Sequence, residues 1–127
     1  MAAILTVDDS RAVRSIVAKQ VKGLGFEVIE AEDGVQGLEM LRQSKVDLVL
    51  LDVTMPNMDG PTMLQKMRES GDETPVIMLT SESQRSIVAN AMRLGISDYV
   101  LKPFKPEELR AKVLAVLQAE PDANPFG

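Results

Sequence analysis

The stretch from Val46 to Gly60, V-D-L-V-L-L-D-V-T-M-P-N-M-D-G, decides how the rest of the chain is read. Leu48 to Leu51 is an apolar run of strand length, too short to span a membrane. Its lack of polar alternation suits a strand covered on both faces. Asp52 ends that run. Met55-Pro56 and Asp59-Gly60 then force a loop. Open α/β sheets gather their ligands at the carboxyl edge of the strands, so Asp52 is a candidate reactive carboxylate as well as a strand terminator.

Working outward, Ala3 to Val7 is a second branched apolar run, and it also stops on acid, at Asp8-Asp9. Ser10 is placed to cap a helix. Along that helix Val13, Ile16, Val17, Val21 and Leu24 recur at helical spacing, with Arg14, Lys19 and Lys22 on the other side, until Gly23 and Gly25. Phe26 to Ala31 is the next strand. Asp33-Gly34 turns into a helix bearing Val35, Leu38 and Leu41, slightly weakened by Gly37. Val46 to Leu51 follows as the third strand.

Beyond the Asp52 loop, Asp59 or Gly60 opens a helix with Pro61 near its first turn; Met63, Leu64 and Met67 face inward and Ser70-Gly71 ends it. Val76 to Leu79 is a fourth strand with Thr80-Ser81 at its end. Ser81 or Ser83 caps a helix carrying Ile87, Val88, Ala91, Met92 and Leu94 as far as Gly95. The fifth strand, Ser97 to Leu101, holds the single tyrosine, Tyr99, and ends at Lys102-Pro103-Phe104. Pro106, Glu107 and Glu108 form the first turn of a last helix, with Leu109, Val113, Val116 and Leu117 buried. Met63, Met67, Met78 and Met92 read as core filler. The domain is assigned to 1–119, and 120–127, with Pro121 and Pro125, to a flexible tail or the start of a linker.

Strands that alternate with helices in this way must run parallel and be joined by right-handed crossovers. The expected fold is therefore α/β, a doubly wound five-stranded sheet with five helices on its two faces, in the strand order 2-1-3-4-5 common to such sheets.

The 127 residues make one domain with one substantial core. A formal charge of -5, with no concentrated run of Lys or Arg, argues against direct nucleic-acid binding. No segment reaches the roughly 18 apolar residues of a membrane span, and the amino terminus lacks the features of a signal peptide, so a cytoplasmic protein without membrane insertion is expected. The chain has no Cys and no His. Thiol nucleophiles, imidazole bases and Cys/His zinc sites are excluded, leaving carboxylates, hydroxyls and lysines.

Asp8-Asp9, Asp52, Thr80-Ser81 and Lys102 all fall at strand carboxyl ends, on one edge. Carboxylates crowded there repel unless positive charge is present, and the candidates are Lys102 and a divalent cation. Magnesium suits the set better than zinc: Asp9, Asp52 and a backbone carbonyl offer oxygen ligands and leave positions for water and a phosphoryl oxygen. An Asp can itself accept a phosphoryl group. Phosphoryl transfer needs mainly positioning and charge neutralisation, which the cation, the Lys102 ammonium and the Thr80 hydroxyl can supply. An ionised Asp52 needs no general base.

V-D-D-S at Val7 to Ser10, L-L-D-V-T-M-P-N-M-D-G at Leu50 to Gly60, L-T-S at Leu79 to Ser81 and D-Y-V-L-K-P-F at Asp98 to Phe104 together resemble a receiver domain of a two-component response regulator, in the style of the single-domain chemotaxis regulators. The likeness runs from Ile4 to Leu117 and implies a flavodoxin-like fold. It implies that Asp52 is the phosphoacceptor, that Asp9, Asp52 and the Thr54 carbonyl ligate Mg2+ with Asp8 acting largely through water, and that Thr80 and Lys102 hold the phosphoryl oxygens. Lys102-Pro103 is expected to be cis, and Tyr99 to act with Thr80 as a switch. Thr54 and Glu82 are positions where such proteins differ in the lifetime of the acyl phosphate.

The implied donor is a histidine kinase or histidine phosphotransfer protein, and the implied output a protein or domain bound through the fourth helix, fifth strand and last helix. Arg85, Ile87, Arg93, Tyr99, Arg110 and Lys112 lie there. The resemblance implies a monomer, with a weak dimer through the same face open to it, and self-phosphorylation rather than turnover of an external substrate. Competing readings are an amino-terminal receiver cut from a longer regulator, a pseudo-receiver that binds partners without phosphorylation, a flavin-binding module, and a magnesium-dependent phosphatase of the haloacid dehalogenase type. The last normally has a second Asp two residues on, where this chain has Thr54; the flavin module needs a phosphate cradle where this chain has Asp8-Asp9.

Overall fold

A computed structural model describes residues 2–118, apart from the side chain of Glu82; the tail assigned to 120–127 lies outside the described residues. The elements are β1 (Ala3–Val7), α1 (Arg11–Gly23), β2 (Glu27–Ala31), α2 (Gly34–Gln43), β3 (Leu48–Asp52), α3 (Gly60–Glu69), β4 (Val76–Thr80), a 3-10 turn (Glu82–Gln84), α4 (Arg85–Ala91), a second 3-10 turn (Met92–Leu94), β5 (Asp98–Leu101) and α5 (Pro106–Gln118). All neighbouring strands pair in parallel, in the order β2-β1-β3-β4-β5. The doubly wound fold expected from the alternation is the observed one.

Strand side chains alternate between faces, so the core expected to be single is divided by the sheet into two layers, one on each face. Leu5, Val7, Val49, Leu51, Val76 and Met78 pack with Met63, Leu64 and Met67 of α3 and Ala91 of α4. Ile4, Leu48, Leu50, Ile77, Leu79 and Val100 pack with Val17 and Val21 of α1 and Leu109 and Val113 of α5. Continuing the alternation past the strand ends gives Asp8, Asp52 and Lys102 to the α1/α5 series and Thr80 to the α4 series.

Ser10 caps α1 as expected, and Asp33 and Asp59 cap α2 and α3, whereas neither Ser81 nor Ser83 caps α4, whose amino end is Gln84 without a side-chain cap bond. Ser10 Oγ accepts from the Val13 amide, Asp33 Oδ1 from Gln36 and Asp59 Oδ1 from Thr62. The Asp33 carboxyl is held below its ordinary pKa by the Gln36 amide and then by Asn57, whose Nδ2 donates to Oδ2 at 2.7 Å. This bond and Gly34 N–H to Met58 O at 3.1 Å tie the loop after β3 to the start of α2. Asn57 itself sits at φ 65°, a left-handed conformation that asparagine tolerates.

Several expectations need correction. β3 starts at Leu48 rather than Val46, because the Asp47 carboxylate accepts the Ala3 amide at 2.9 Å. β4 and β3 each extend one residue further, so that Thr80 and Asp52 are themselves paired strand residues. On α1 the buried stripe is Arg14, Val17, Ala18 and Val21, and Ile16 is 51% exposed. On α2, Val35 is exposed and Gly37 is buried, since a Cβ there would fall 2.8 Å from the Met63 sulfur. The single helix expected before Gly95 is a seven-residue α4 between two 3-10 turns. The change from 3.6 to three residues per turn moves Met92 out of the stripe of Val88 and Ala91, leaving it 55% exposed while Met63, Met67 and Met78 are buried.

Arg68 ties the far end of α3 to two loops. Its Nε donates to Leu94 O at 2.9 Å, its Nη1 to Asp72 O and Thr74 O, and its Nη2 to Gly95 O. Arg68→Met is expected to destabilise the protein by about 2 kcal/mol, read from the urea midpoint, because one substitution strips charge-assisted partners from several carbonyls. An unchanged midpoint would show that water replaces the guanidinium at no cost.

Candidate functional site

The carboxyl edge of β1, β3, β4 and β5 gathers the site. Lys102, just after β5, reaches across the sheet so that its Nζ donates to Asp52 Oδ1 at 2.8 Å and to Asp8 Oδ2 at 3.1 Å. Asp8 is 1% exposed, and its Oδ1 accepts the Ser10 amide at 2.8 Å. Asp9 is exposed at the rim. The Lys102–Pro103 peptide is cis, as expected, and the Lys102 amide donates to Thr80 O.

Burial raises the pKa of Asp52; the Lys102 hydrogen bond and charge work against that rise, and the charges of Asp8 and Asp9 add to it. For Lys102, burial works downward but the combined pull of Asp52 and Asp8 exceeds it, and the pKa is raised. Each group thus holds the other ionised. One ammonium faces more than one carboxylate, however, so the pocket retains an excess of negative charge.

That excess is the physical test for a cation. Asp8, Asp9 and Asp52 offer carboxylate oxygens within 4.8 Å of one another, two of the residues buried and one open to solvent. A hard, oxygen-seeking divalent ion fits this donor set.

The carbonyl of Asp52 borders the first residue of α3. A Cβ on Gly60 would lie inside the van der Waals contact of that oxygen, and the Gly60 amide donates to Val53 O at 2.9 Å. Glycine here is a steric requirement for bringing α3 up to the carboxyl end of β3.

Thr80 is 1% exposed. With Arg85, Val88, Ala89, Met92 and Tyr99 it lines a cavity of about 190 Å³ between β4, β5 and α4. Tyr99 is half-buried, and Lys112 of α5 lies over its ring at 5.3 Å while donating to the Tyr99 carbonyl at 2.7 Å. Ile87 and Arg93 are exposed on α4 and the turn after it. Arg110 is not on this face: its guanidinium hydrogen-bonds Gln20 of α1, across the α1–α5 packing.

Two residues near the site were not singled out from the sequence. Arg14, expected on the solvated side of α1, is buried under the acidic loop, donating to Asp8 O at 2.6 Å and to Glu30 Oε1 at 3.2 Å. Its membership of the 14-17-18-21 spacing was the available signal, overridden by its charge. Gln84 bridges Thr54, Thr80 and Ser81, and the Ser81-x-x-Gln84 spacing is that of a helix capping box. The side chain of Glu82 lies outside the described residues.

Comparison with known proteins agrees with this geometry. Residues 4–114 match the response regulator receiver domain family. The response regulator MprA of Mycobacterium leprae is 39% identical over 120 residues, covering 94% of this chain and 53% of that protein. The chain spans about half the length of the curated relatives it matches. Among solved structures, chemotaxis protein CheY4 of Vibrio cholerae is 32% identical with a TM-score of 0.85, covering 91% of this chain and 98% of that one. A CheY-like receiver domain protein of Methanospirillum hungatei reaches a TM-score of 0.88 at 25% identity, covering 100% and 99%. No helix among the described residues is long and apolar enough to cross a membrane. By sequence match and by fold, the chain belongs to the response regulator receiver domain family.

Proposed function

We propose that this receiver takes a phosphoryl group onto Asp52 in a magnesium-dependent step and relays the change to a partner through α4, β5 and α5. The observation that carries the reading is Lys102 Nζ held between Asp52 and Asp8 in a pocket of three convergent carboxylates. A carboxylate oxygen of Asp52 forms the new bond to phosphorus, and the bond from phosphorus to the donor breaks with its electron pair leaving on the donor. A histidine kinase or a histidine phosphotransfer protein is the donor class. Magnesium held by Asp9, Asp52 and the Thr54 carbonyl, with Asp8 acting through water, would supply the charge that neutralises the phosphoryl oxygens. Lys102 and Thr80 are positioned to orient those oxygens.

Receiver domains are signalling modules, and the proposed step is stoichiometric; self-catalysed dephosphorylation is a separate step in which water attacks phosphorus, the bond to the Asp52 oxygen breaks with its electron pair returning to the carboxylate, and inorganic phosphate leaves. The output face includes Arg85, Ile87, Arg93, Tyr99 and Lys112; Arg110, engaged with Gln20, is dropped from it. A cytoplasmic monomer is proposed, with a weak dimer through this face as its other state. Since the chain spans about half of its curated relatives, the second reading is an amino-terminal receiver of a longer regulator, whose partner is a domain of its own chain. The likeness to CheY4 over nearly the whole of that protein supports the free-standing chemotaxis-like reading instead.

The test is incubation with acetyl phosphate and magnesium. One phosphoryl mass is expected, mapping to Asp52 and lost with excess chelator or in Asp52→Ala. A modification that persists in Asp52→Ala would overturn the assignment.

A further inference from the structure

We infer that Gln84 is a positioning residue that holds the Thr80 hydroxyl in a resting orientation, so that phosphorylation of Asp52 has to break this contact before Thr80 can serve the phosphoryl group. The inference rests on the reading of Asp52 as phosphoacceptor.

Gln84 stands at the end of the 3-10 turn that precedes α4 and is half-buried. Its Oε1 accepts the Ser81 amide at 2.9 Å and faces Thr80 Oγ1 at 3.3 Å, and its Nε2 donates to Thr54 Oγ1 at 2.6 Å. Capping the turn accounts for the Ser81 bond alone. The other two contacts connect the loop after Asp52 to the end of β4, on either side of the phosphoacceptor.

Thr80 Oγ1 has two acceptors, Gln84 Oε1 and its neighbour's carbonyl, Ser81 O, each at 3.3 Å. A hydroxyl has one proton to donate. To donate it to a phosphoryl oxygen on Asp52, Thr80 has to give up both acceptors, and Gln84 is the one that a side-chain substitution can remove. Gln84 therefore weights the equilibrium toward the resting state, and the phosphoryl group shifts it only by what it gains beyond that contact. The Thr54 end keeps the carboxamide aimed: with Nε2 anchored, Oε1 stays turned to Thr80 and Ser81.

The experiment uses beryllofluoride, an analogue of the phosphoryl group, in saturating magnesium, with affinity read from amide NMR shifts at Thr80 and Tyr99. Gln84→Met keeps the length of the side chain and removes the bridge. Its affinity for beryllofluoride is expected to rise by about three- to tenfold, the worth of one neutral hydrogen bond, with magnesium affinity within about twofold of wild type. In a Thr80→Val background the same substitution should have no further effect, because the hydroxyl that Gln84 restrains is gone. Thr54→Val, which leaves Gln84 in place but unanchored, should shift affinity in the same direction by less, and it covers the case in which the Gln84 variant folds poorly. Unchanged affinity in Gln84→Met, or an equal gain with and without the Thr80 hydroxyl, would overturn the inference while leaving Asp52 as phosphoacceptor. Wild-type protein that binds no beryllofluoride with magnesium present would take both readings down together.

Discussion

Lys102→Met is expected to slow phosphoryl uptake from acetyl phosphate by about 100- to 1,000-fold, the usual cost of deleting one charged donor aimed at developing negative charge in a transition state. Methionine keeps the reach of the side chain and loses only the ammonium, whose Nζ lies 2.8 Å from Asp52 and 3.1 Å from Asp8. Magnesium affinity should rise at the same time, because a positive neighbour has left a pocket of carboxylates. Tighter metal with slower chemistry separates loss of catalysis from loss of the ion. The pH dependence has a definite sign. Burial raises the Asp52 pKa and Lys102 opposes the rise, so without Lys102 it climbs further, and the acid limb of the uptake rate moves to higher pH. Stability of the metal-free protein follows by linkage. A carboxyl whose folded pKa exceeds its unfolded value loses stability as pH rises from the unfolded value through the folded one, so the variant should gain relatively more from acid than wild type does. An uptake rate within tenfold of wild type would remove Lys102 from the reaction.

Gly60→Ala is the second large effect expected: a loss of about 3 kcal/mol in stability together with most of the phosphoryl uptake. On an ordinary exposed helix the same change would be favourable, since alanine is the better helix former and constrains the unfolded chain. Here the added methyl meets the carbonyl oxygen of Asp52, a residue held in register with Leu79 of β4, so that the strand has little room to retreat. Either α3 backs away from the sheet or Asp52 is displaced from Lys102. Urea denaturation and acetyl phosphate uptake, measured on the same preparation, check both halves. A variant as stable and as active as wild type would show that α3 slides freely along its axis.

The three central strands were legible because each is covered on both faces, so Leu48–Leu51 and Val76–Leu79 appear as unbroken apolar runs between breakers and Ala3–Val7 as one interrupted only by Thr6. Their carboxyl ends follow once the strands are parallel, and Asp8, Asp9, Asp52, Thr80 and Lys102 could be gathered from the sequence for that reason alone. Side-chain direction is another matter. Arg14 carries a charge that argues for solvent, yet it lies within the 14-17-18-21 stripe and its guanidinium finds Asp8 O and Glu30. Gly37 counts as a weak spot in a helix until α3 is brought against it and Met63 fills the place of its Cβ. Arg110 belongs to α5 by pattern, but which neighbour it reaches depends on the crossing of α1 and α5, which periodicity does not encode. Met92 and Gln84 depend on a 3-10 geometry that has three residues per turn where an unbroken α-helix has 3.6.

The brevity of α4 has an energetic meaning of its own. A seven-residue helix has little more than one closed turn of its own ladder, and the 3-10 turns that bound it hold the chain by poorer hydrogen-bond geometry. Only Val88 and Ala91 anchor it in the core, whereas α3 sinks Met63, Leu64 and Met67 completely. The molecule is therefore mechanically uneven, a stiff slab with one compliant strip along the side where Thr80 and Tyr99 meet. Hydrogen exchange would rank that strip near the bottom of the local opening free energies. Compliance of this kind lets a small chemical event at the rigid end do visible work, because the element it pushes on has least to lose by moving.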